Sequence, residues 1–414
     1  MKRIPELVAP WWSYSKAMVA ASFGADAVYV WVPFTSLRMR QNKIKDFTEL
    51  GRTIDDLHNL DKMAYLTMNI FPRNQDIKIF EQVLERVLDL KPDAIIFSDP
   101  GTYNLIKKYS WNIKLHLSTQ TSMLNYESIK FRYDLGVSRV VLARELHISE
   151  IAEIKQRIPE MELEVFAHGA MCMSYSGRCL LGEFLAARDG NKWDCPHVCR
   201  YKYKVYIQEE RRPEQKYEIL WDEEWSYILS SKDLCTIHRL EEIVPYVDWL
   251  KIEWRSKWEF YVGAAVRAYR HALDAIANSS EINPDIINLV NEIPHRTYRD
   301  GFILNPRWTV AEPQTEVSSM TVDTAWPMWG RKYFWLILPQ SIEIDGKTYF
   351  QMIPKENIKR WDEFKFISKT DIWNIKIIDF LDEYQKNIET INCNMKKVFV
   401  QLDKHIEGYT ILYI

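Results

Sequence analysis

Eight short apolar runs alternate with amphipathic stretches along the first 275 residues, and this alternation constrains the fold more than any other feature. The runs are ELVAP (6–10), AVYVW (27–31), MAYLTMN (63–69), AIIFSD (94–99), KLHLST (114–119), RVVLA (139–143), ELEVFAHG (162–169) and DWLKIE (248–253). Each is nearly continuous in hydrophobicity, as strands covered on both faces are. Between them lie helix-periodic stretches such as DIKIFEQVLERVLDL (76–90) and ISEIAEIKQRI (148–158). Strands interleaved with helices in this number predict an α/β fold, a (β/α)8 TIM-like barrel over residues 1–275. The barrel should be irregular, because a Cys-rich insertion at 170–235 separates the seventh run from the eighth. Residues 276–331 read as a linker and helical region, with NPDIINLVNEIPHR as one helix. Short alternating runs over 332–414, such as FWLILPQSIEI and TYFQMIP, predict a small C-terminal barrel-like β domain.

The net charge of −3 provides no global field to attract nucleic acid, so any RNA contact needs a local basic patch. The opening MKRIPELVAPWW lacks a signal-type apolar run, and no long apolar window reads as membrane-spanning. A cytoplasmic address with reduced cysteines is therefore expected, and clustered thiols there read as metal-binding or catalytic.

Barrels of this class do their chemistry at the C-terminal ends of the strands. Those ends carry Asn69, Asp99, Thr119 with Gln120, Arg144 with Glu145, His168 and Glu253, which predicts a polar pocket. Asn69, Asp99 and Gln120 are the candidate substrate contacts. Arg144, Glu145, His168, Glu253 and Arg255 are the candidate catalytic groups.

Five cysteines fall in or at the end of the insertion: Cys172, Cys179, Cys195, Cys199 and Cys235. Cys393 stands alone in the β domain and reads as an inert thiol. Structural zinc takes ligands paired two to four residues apart, and only Cys195 with Cys199 fits. An iron–sulfur cluster accepts wider spacing from irregular loops. Spacing alone leaves both metals open, while the nearby Arg144, Arg178 and Arg200 favour a cluster by offsetting thiolate charge.

The stretches EVFAHGAMCMSYSGRCLLGEF, HLSTQTSMLNYESIKFRYDLGVSRVVLAREL, CPHVCRYKY, SSKDLC and KIEWRSK resemble the signature of the U32 family, historically called collagenase-like peptidases. The resemblance covers roughly residues 4–275, and the β domain resembles the family's terminal domain. It is strongest to the branch that hydroxylates C5 of the tRNA wobble uridine without molecular oxygen, with prephenate as donor. Related branches hydroxylate 23S rRNA cytidine or quinone precursors. The resemblance implies a 4Fe–4S cluster on Cys172, Cys179 and Cys195, with Cys235 as fourth ligand and Cys199 as the alternative.

Such an enzyme needs tRNA and a small dianionic organic acid as partners. Arg144, Arg200 and Arg255 are candidate clamps for the acid, since arginine grips carboxylates bidentately. In CRYKYKVYIQEERR (199–212), Tyr201, Lys202, Tyr203, Lys204, Tyr206 and Arg200 interleave rings with cations, as stacking on bases and contacting phosphates requires. The same segment also fits a plain amphipathic hairpin strand. A peptidase is the alternative, but there is no H-E-x-x-H and no G-x-S-x-G, and a nucleophile–base pair such as Cys172 with His168 would use a thiol that the metal reading already claims. A non-catalytic RNA-binding or assembly factor is the third class.

Tryptophan stands where the resembling family has glycine at Trp12, Trp31, Trp193, Trp225, Trp254 and Trp361. The chain holds 13 glycines beside 16 tryptophans, where average usage predicts about 29 glycines. One reading is that some of these positions are UGA codons that the source organism translates as glycine. The other is an altered pocket, crowded at the barrel mouth.

Overall fold

The computed structural model describes the chain except residues 1–3, 12, 34, 36–45, 173, 176–178, 189–197, 201–205, 209–215, 219–232, 254–258, 294, 296–297, 306–333, 355–356, 360–361, 370–371, 393, 407 and 414; at 200, 206–208, 216–218, 334 and 373 only the backbone is described. Cys195, Cys393, Arg178, Tyr201, Lys202, Tyr203, Lys204, Arg255, Trp12, Trp193, Trp225, Trp254 and Trp361 thus lie outside the described residues, as does the Arg200 side chain.

Seven parallel strands follow in chain order: β1 (Glu6–Trp11), β2 (Ala27–Trp31), β3 (Met63–Thr67), β4 (Ala94–Phe97), β5 (Lys114–Leu117), β6 (Arg139–Val141) and β7 (Glu162–Ala170). After them come β8 (Tyr206–Gln208) and β9 (Lys216–Glu218), which form a hairpin, then β10 (Asp233–Cys235) and β11 (Trp249–Ile252). β11 lies parallel between β7 and β1 and closes the expected eight-stranded barrel. The helices between strands are α1 (Tyr14–Ser22), α2 (Phe47–Asn59), α3 (Asn74–Asp89), α4 (Pro100–Tyr109), α5 (Tyr126–Asp134) and α6 (Ile148–Arg157). Local chemistry sets several starts: Asp46, Asp99 and Asn125 accept the backbone N–H of Glu49, Thr102 and Ser128, which satisfies donors a helix leaves open at its first turn.

The irregularity falls at the seventh strand. β7 outruns the barrel, and its last residues pair antiparallel with β10, so that His168 faces Cys235 across the ladder. β10 in turn pairs with β12 (Tyr298–Arg299). The helix read over NPDIINLVNEIPHR is two short ones, Pro284–Ile287 and Leu289–Glu292, broken at Asn288. In the insertion, the short α7 (Leu181–Ala186) packs against the turn Val198–Arg200. After it come α8 (Leu240–Ile243) and the long α9 (Glu259–Asn278).

The C-terminal strands are β13 (Phe334–Ile344), β14 (Lys347–Ile353), β15 (Ile358–Lys359), β16 (Glu363–Ile367), β17 (Ile372–Leu381), β18 (Thr390–Ile391), β19 (Val398–Leu402) and β20 (Thr410–Tyr413). Six of them close an antiparallel barrel in the order β13-β14-β19-β17-β16-β20. It docks on α1 and α9 at Gly263, where a Cβ would sit 2.7 Å from the Ile411 side chain. The Phe260 and Tyr413 rings meet at 4.8 Å beside it. No described helix is long and apolar enough to cross a membrane.

Candidate functional site

Inward positions alternate along each barrel strand, and here they bring charge into the interior. Glu164 on β7 is fully buried; its carboxylate accepts from Lys251 Nζ at 2.6 Å and from Arg139 at 3.2 Å. Arg139 also pairs with Glu162 and lies 3.6 Å over the Trp249 ring. Burial pushes the Glu164 carboxyl upward, but Lys251 and Arg139 outweigh it and hold it below its ordinary value. Burial lowers the Lys251 ammonium, and Glu164 only partly restores it. His116, buried below the cavity, is held neutral by burial and then by the positive charge of Arg139 and Lys251.

Above this network a cavity of about 60 Å³ opens at the C-terminal mouth. Tyr29, Trp31 and Phe166 supply its rings; Thr67, Asn69, Ser118, Thr119 and Gln120 its neutral polar groups; Lys251 and Glu253 its charges. The polar groups brace one another. Asn69 Nδ2 donates to Ser118 Oγ at 3.0 Å, Ser98 Oγ donates to Gln120 Oε1 at 3.0 Å, and Thr119 Oγ1 donates to the Leu142 carbonyl at 3.1 Å. Glu253 is placed by its backbone, which donates to the His168 carbonyl at 2.7 Å. That approach depends on Gly169 at φ +118, where a Cβ would stand 2.7 Å from Glu253 Cβ and 2.8 Å from its carbonyl oxygen. The Glu253 carboxylate accepts from Arg144, whose guanidinium lies 3.8 Å over Phe166.

Asn69, Gln120 and Glu253, expected at the site, therefore line one cavity, with Arg144 bound to its rim. Asp99 does something else: its carboxylate caps α4, and it does not line the cavity. Glu145 follows Arg144 and is likewise no lining residue. His168 is 1% exposed and enclosed by the rings of Tyr261, Tyr269 and Tyr298 at 5.7, 5.6 and 5.4 Å. The bulge between Lys251 and Ile252 changes the β7–β11 register there, carrying His168 away from the mouth. Two groups were missed: Lys251 and Glu164. Charged residues spaced by two inside otherwise apolar runs, Glu162 with Glu164 and Lys251 with Glu253, carry their signal.

The described thiols, Cys172, Cys179, Cys199 and Cys235, form no disulfide with one another. Cys172 is exposed just past β7, Cys179 and Cys199 are half-buried on the adjoining segments of α7 and its neighbouring turn, and Cys235 is buried on β10. Burial pushes the Cys235 thiol up to about 11, with the Tyr269 hydroxyl 3.9 Å from its sulfur. Among the described residues no three His, Cys, Asp or Glu side chains gather as a metal site. The donor chemistry nevertheless suits a thiolate-bound metal, with thiols on segments entering beside the end of β7. Cys235 would join only where the metal's own charge offsets the burial that disfavours its thiolate.

The model of peptidase family U32 matches residues 12–309. The chain is 35% identical over 340 residues to tRNA hydroxylation protein P of Haemophilus influenzae, covering 72% of this chain and 74% of that one. It is 31% identical over 324 residues to a collagenase of Porphyromonas gingivalis, covering 73% and 75%. A third relative, the 23S rRNA 5-hydroxycytidine C2501 synthase of Escherichia coli, is 31% identical over 273 residues, covering 66% of this chain and 39% of that one. With most of the barrel and its insertion inside the matched region, the chain belongs to peptidase family U32.

Proposed function

We propose that this protein hydroxylates a pyrimidine base of RNA, with tRNA as the substrate. The observation that carries the reading is the mouth cavity: one compartment walled by rings, braced amides and hydroxyls, with every described charge on it matched by a counter-charge. Such a lining suits a neutral heterocycle that has left its stack. Relatives named for hydroxylation of tRNA and of an rRNA cytidine support it.

The finer reading is C5 hydroxylation of the wobble uridine, with a 4Fe–4S cluster on Cys172, Cys179, Cys195 and Cys235, or with Cys199 in place of Cys235. When bound, such a cluster supplies one-electron chemistry. The chain's own residues bind and orient. Asn69, Ser118 and Gln120 fix the polar wall, and Glu253 with Arg144 holds the rim. A prephenate-like dianion would draw on Arg200 and Arg255, because Arg144 and Lys251 already have carboxylate partners.

The collagenase relative supports the peptidase reading. Against it, His168, the base that reading pairs with Cys172, is sealed among tyrosines, where a peptide does not reach. The test is expression in a bacterium deleted for its own tRNA hydroxylation, with mass spectrometry of tRNA nucleosides. A restored 5-hydroxypyrimidine is expected. An unchanged nucleoside profile, with gelatin cleaved by the anaerobically purified protein, would overturn the proposal.

A further inference from the structure

Lys251 is the polar group that joins the buried network to the cavity. Its ammonium carries three donors, and one meets Glu164 at 2.6 Å. Glu164, Arg139 and His116 lie outside the cavity lining, whereas Lys251 lies on it, beneath the mouth. The ammonium is framed by the Tyr29 ring at 4.0 Å and the Phe166 ring at 5.9 Å. Thr67 lines the same cavity, is 3% exposed, and its hydroxyl has no partner among the described residues. A buried donor without an acceptor is costly to maintain. The Thr67 hydroxyl and the ammonium hydrogens that Glu164 does not take stand on different strands of one cavity and mark where an acceptor belongs.

The shape of a pyrimidine nucleotide says which acceptor. A base entering through the mouth keeps its ribose outside, so the glycosidic nitrogen N1 stays uppermost. The ring carbon opposite N1 is C4, which therefore goes deepest. In uracil C4 bears a carbonyl oxygen, which only accepts, and C5 is its ring neighbour. We propose that Lys251 is a substrate-contacting residue: fixed by Glu164, its ammonium donates to the deep 4-oxygen of the inserted base and so sets the position of C5. This role rests on the RNA-hydroxylase reading of the cavity. Glu164 is then a positioning residue, acting on the substrate through Lys251.

The test is a binding cycle that needs no turnover. Two RNA stem-loops are compared, identical except that one unpaired uridine is replaced by the pyrimidin-2-one ribonucleoside, which lacks the 4-oxygen. The wild-type holoprotein should bind the uridine RNA about 10- to 100-fold more tightly, as expected for a hydrogen bond to a charged group. Lys251→Met should bind both RNAs alike, with its melting temperature followed in parallel. Thr67→Val should narrow the preference for the uridine RNA without abolishing it, and it serves if Lys251→Met does not fold, a preference left at the wild-type value then overturning the shared acceptor. Equal binding of both RNAs by the wild type would overturn the role of Lys251 and leave the RNA reading standing. A preference that survives in folded Lys251→Met would overturn it too. Failure to bind either RNA would defeat the RNA reading and this role together.

Discussion

The protein contains two closed barrels, and they fill their interiors in opposite ways. The C-terminal one is packed with apolar side chains, among them Trp335, Ile337, Phe364, Ile377 and Phe380. Among its described residues the buried polar groups are Ser368 and Thr410, neither of them charged. The larger barrel buries Arg139, Glu164, Lys251 and His116 at its centre. Buried ion pairs are poor sources of net stability, since desolvation takes back much of the attraction. A fold that needed only stability would fill this interior as the small barrel does. Charge retained under an open mouth marks the barrel that does chemistry, and the sealed apolar one marks the module that docks.

The largest break in this contrast should come from Glu164→Ala. It strands Lys251 and Arg139 without their shared carboxylate and should destabilise the protein by about 3–5 kcal/mol, measured by denaturant unfolding. The sign with pH follows from the depressed carboxyl. Its contribution is fully present above the unfolded carboxylate value of about 4.3 and is lost as pH falls through the lower folded value. Wild type should therefore lose stability in that acid window, and the variant should lack that component.

Gly169→Ala tests the link between backbone and site. The left-handed φ and the close Glu253 backbone leave no room for a Cβ, so a cost of about 1–3 kcal/mol is expected. Hydroxylation should fall with it, because Glu253 and its Arg144 partner move; a variant with full activity would show that the rim pair is dispensable.

Residue 31 sharpens the comparison through two tryptophans. Trp335 fills the small barrel, whereas Trp31 ends β2 at the cavity edge, its ring 5.2 Å from that of Tyr29. The backbone at 31 is ordinary strand, so a glycine there would matter for room and not for φ. Trp31→Gly should open the mouth and raise activity, and peptides of the native protein should carry glycine at 31. Tryptophan in those peptides would end the recoding reading at that position. The smallest effect belongs to Ile377→Val in the small barrel: about 0.5–1.5 kcal/mol of stability, with hydroxylation per folded molecule unchanged.

Much of the fold was legible because strand and helix periods differ and the runs are long. The polar ends of those runs correctly placed Asn69, Gln120 and Glu253 at the mouth. Asp99 caps α4 and does not line the cavity, and its context, Asp before Pro100 at a helix start, is a capping signature. His168 lies outside the cavity lining, where β7 continues beyond the barrel and a bulge shifts its register, which no local pattern announces.

By itself, the sequence determined the alternation that closes the large barrel, the short strands of the small one, and the charges spaced by two in the seventh and eighth runs of the large one, Glu162 with Glu164 and Lys251 with Glu253. Only the tertiary structure decided which charges meet. Lys251 reaches Glu164 across 87 residues of chain, and Arg144 reaches Glu253 across 109. Periodicity fixes the face on which a side chain stands, because it is a property of one strand. Partnership depends on register and on closure of β7 against β11, and those are settled only when the whole ring of strands is assembled.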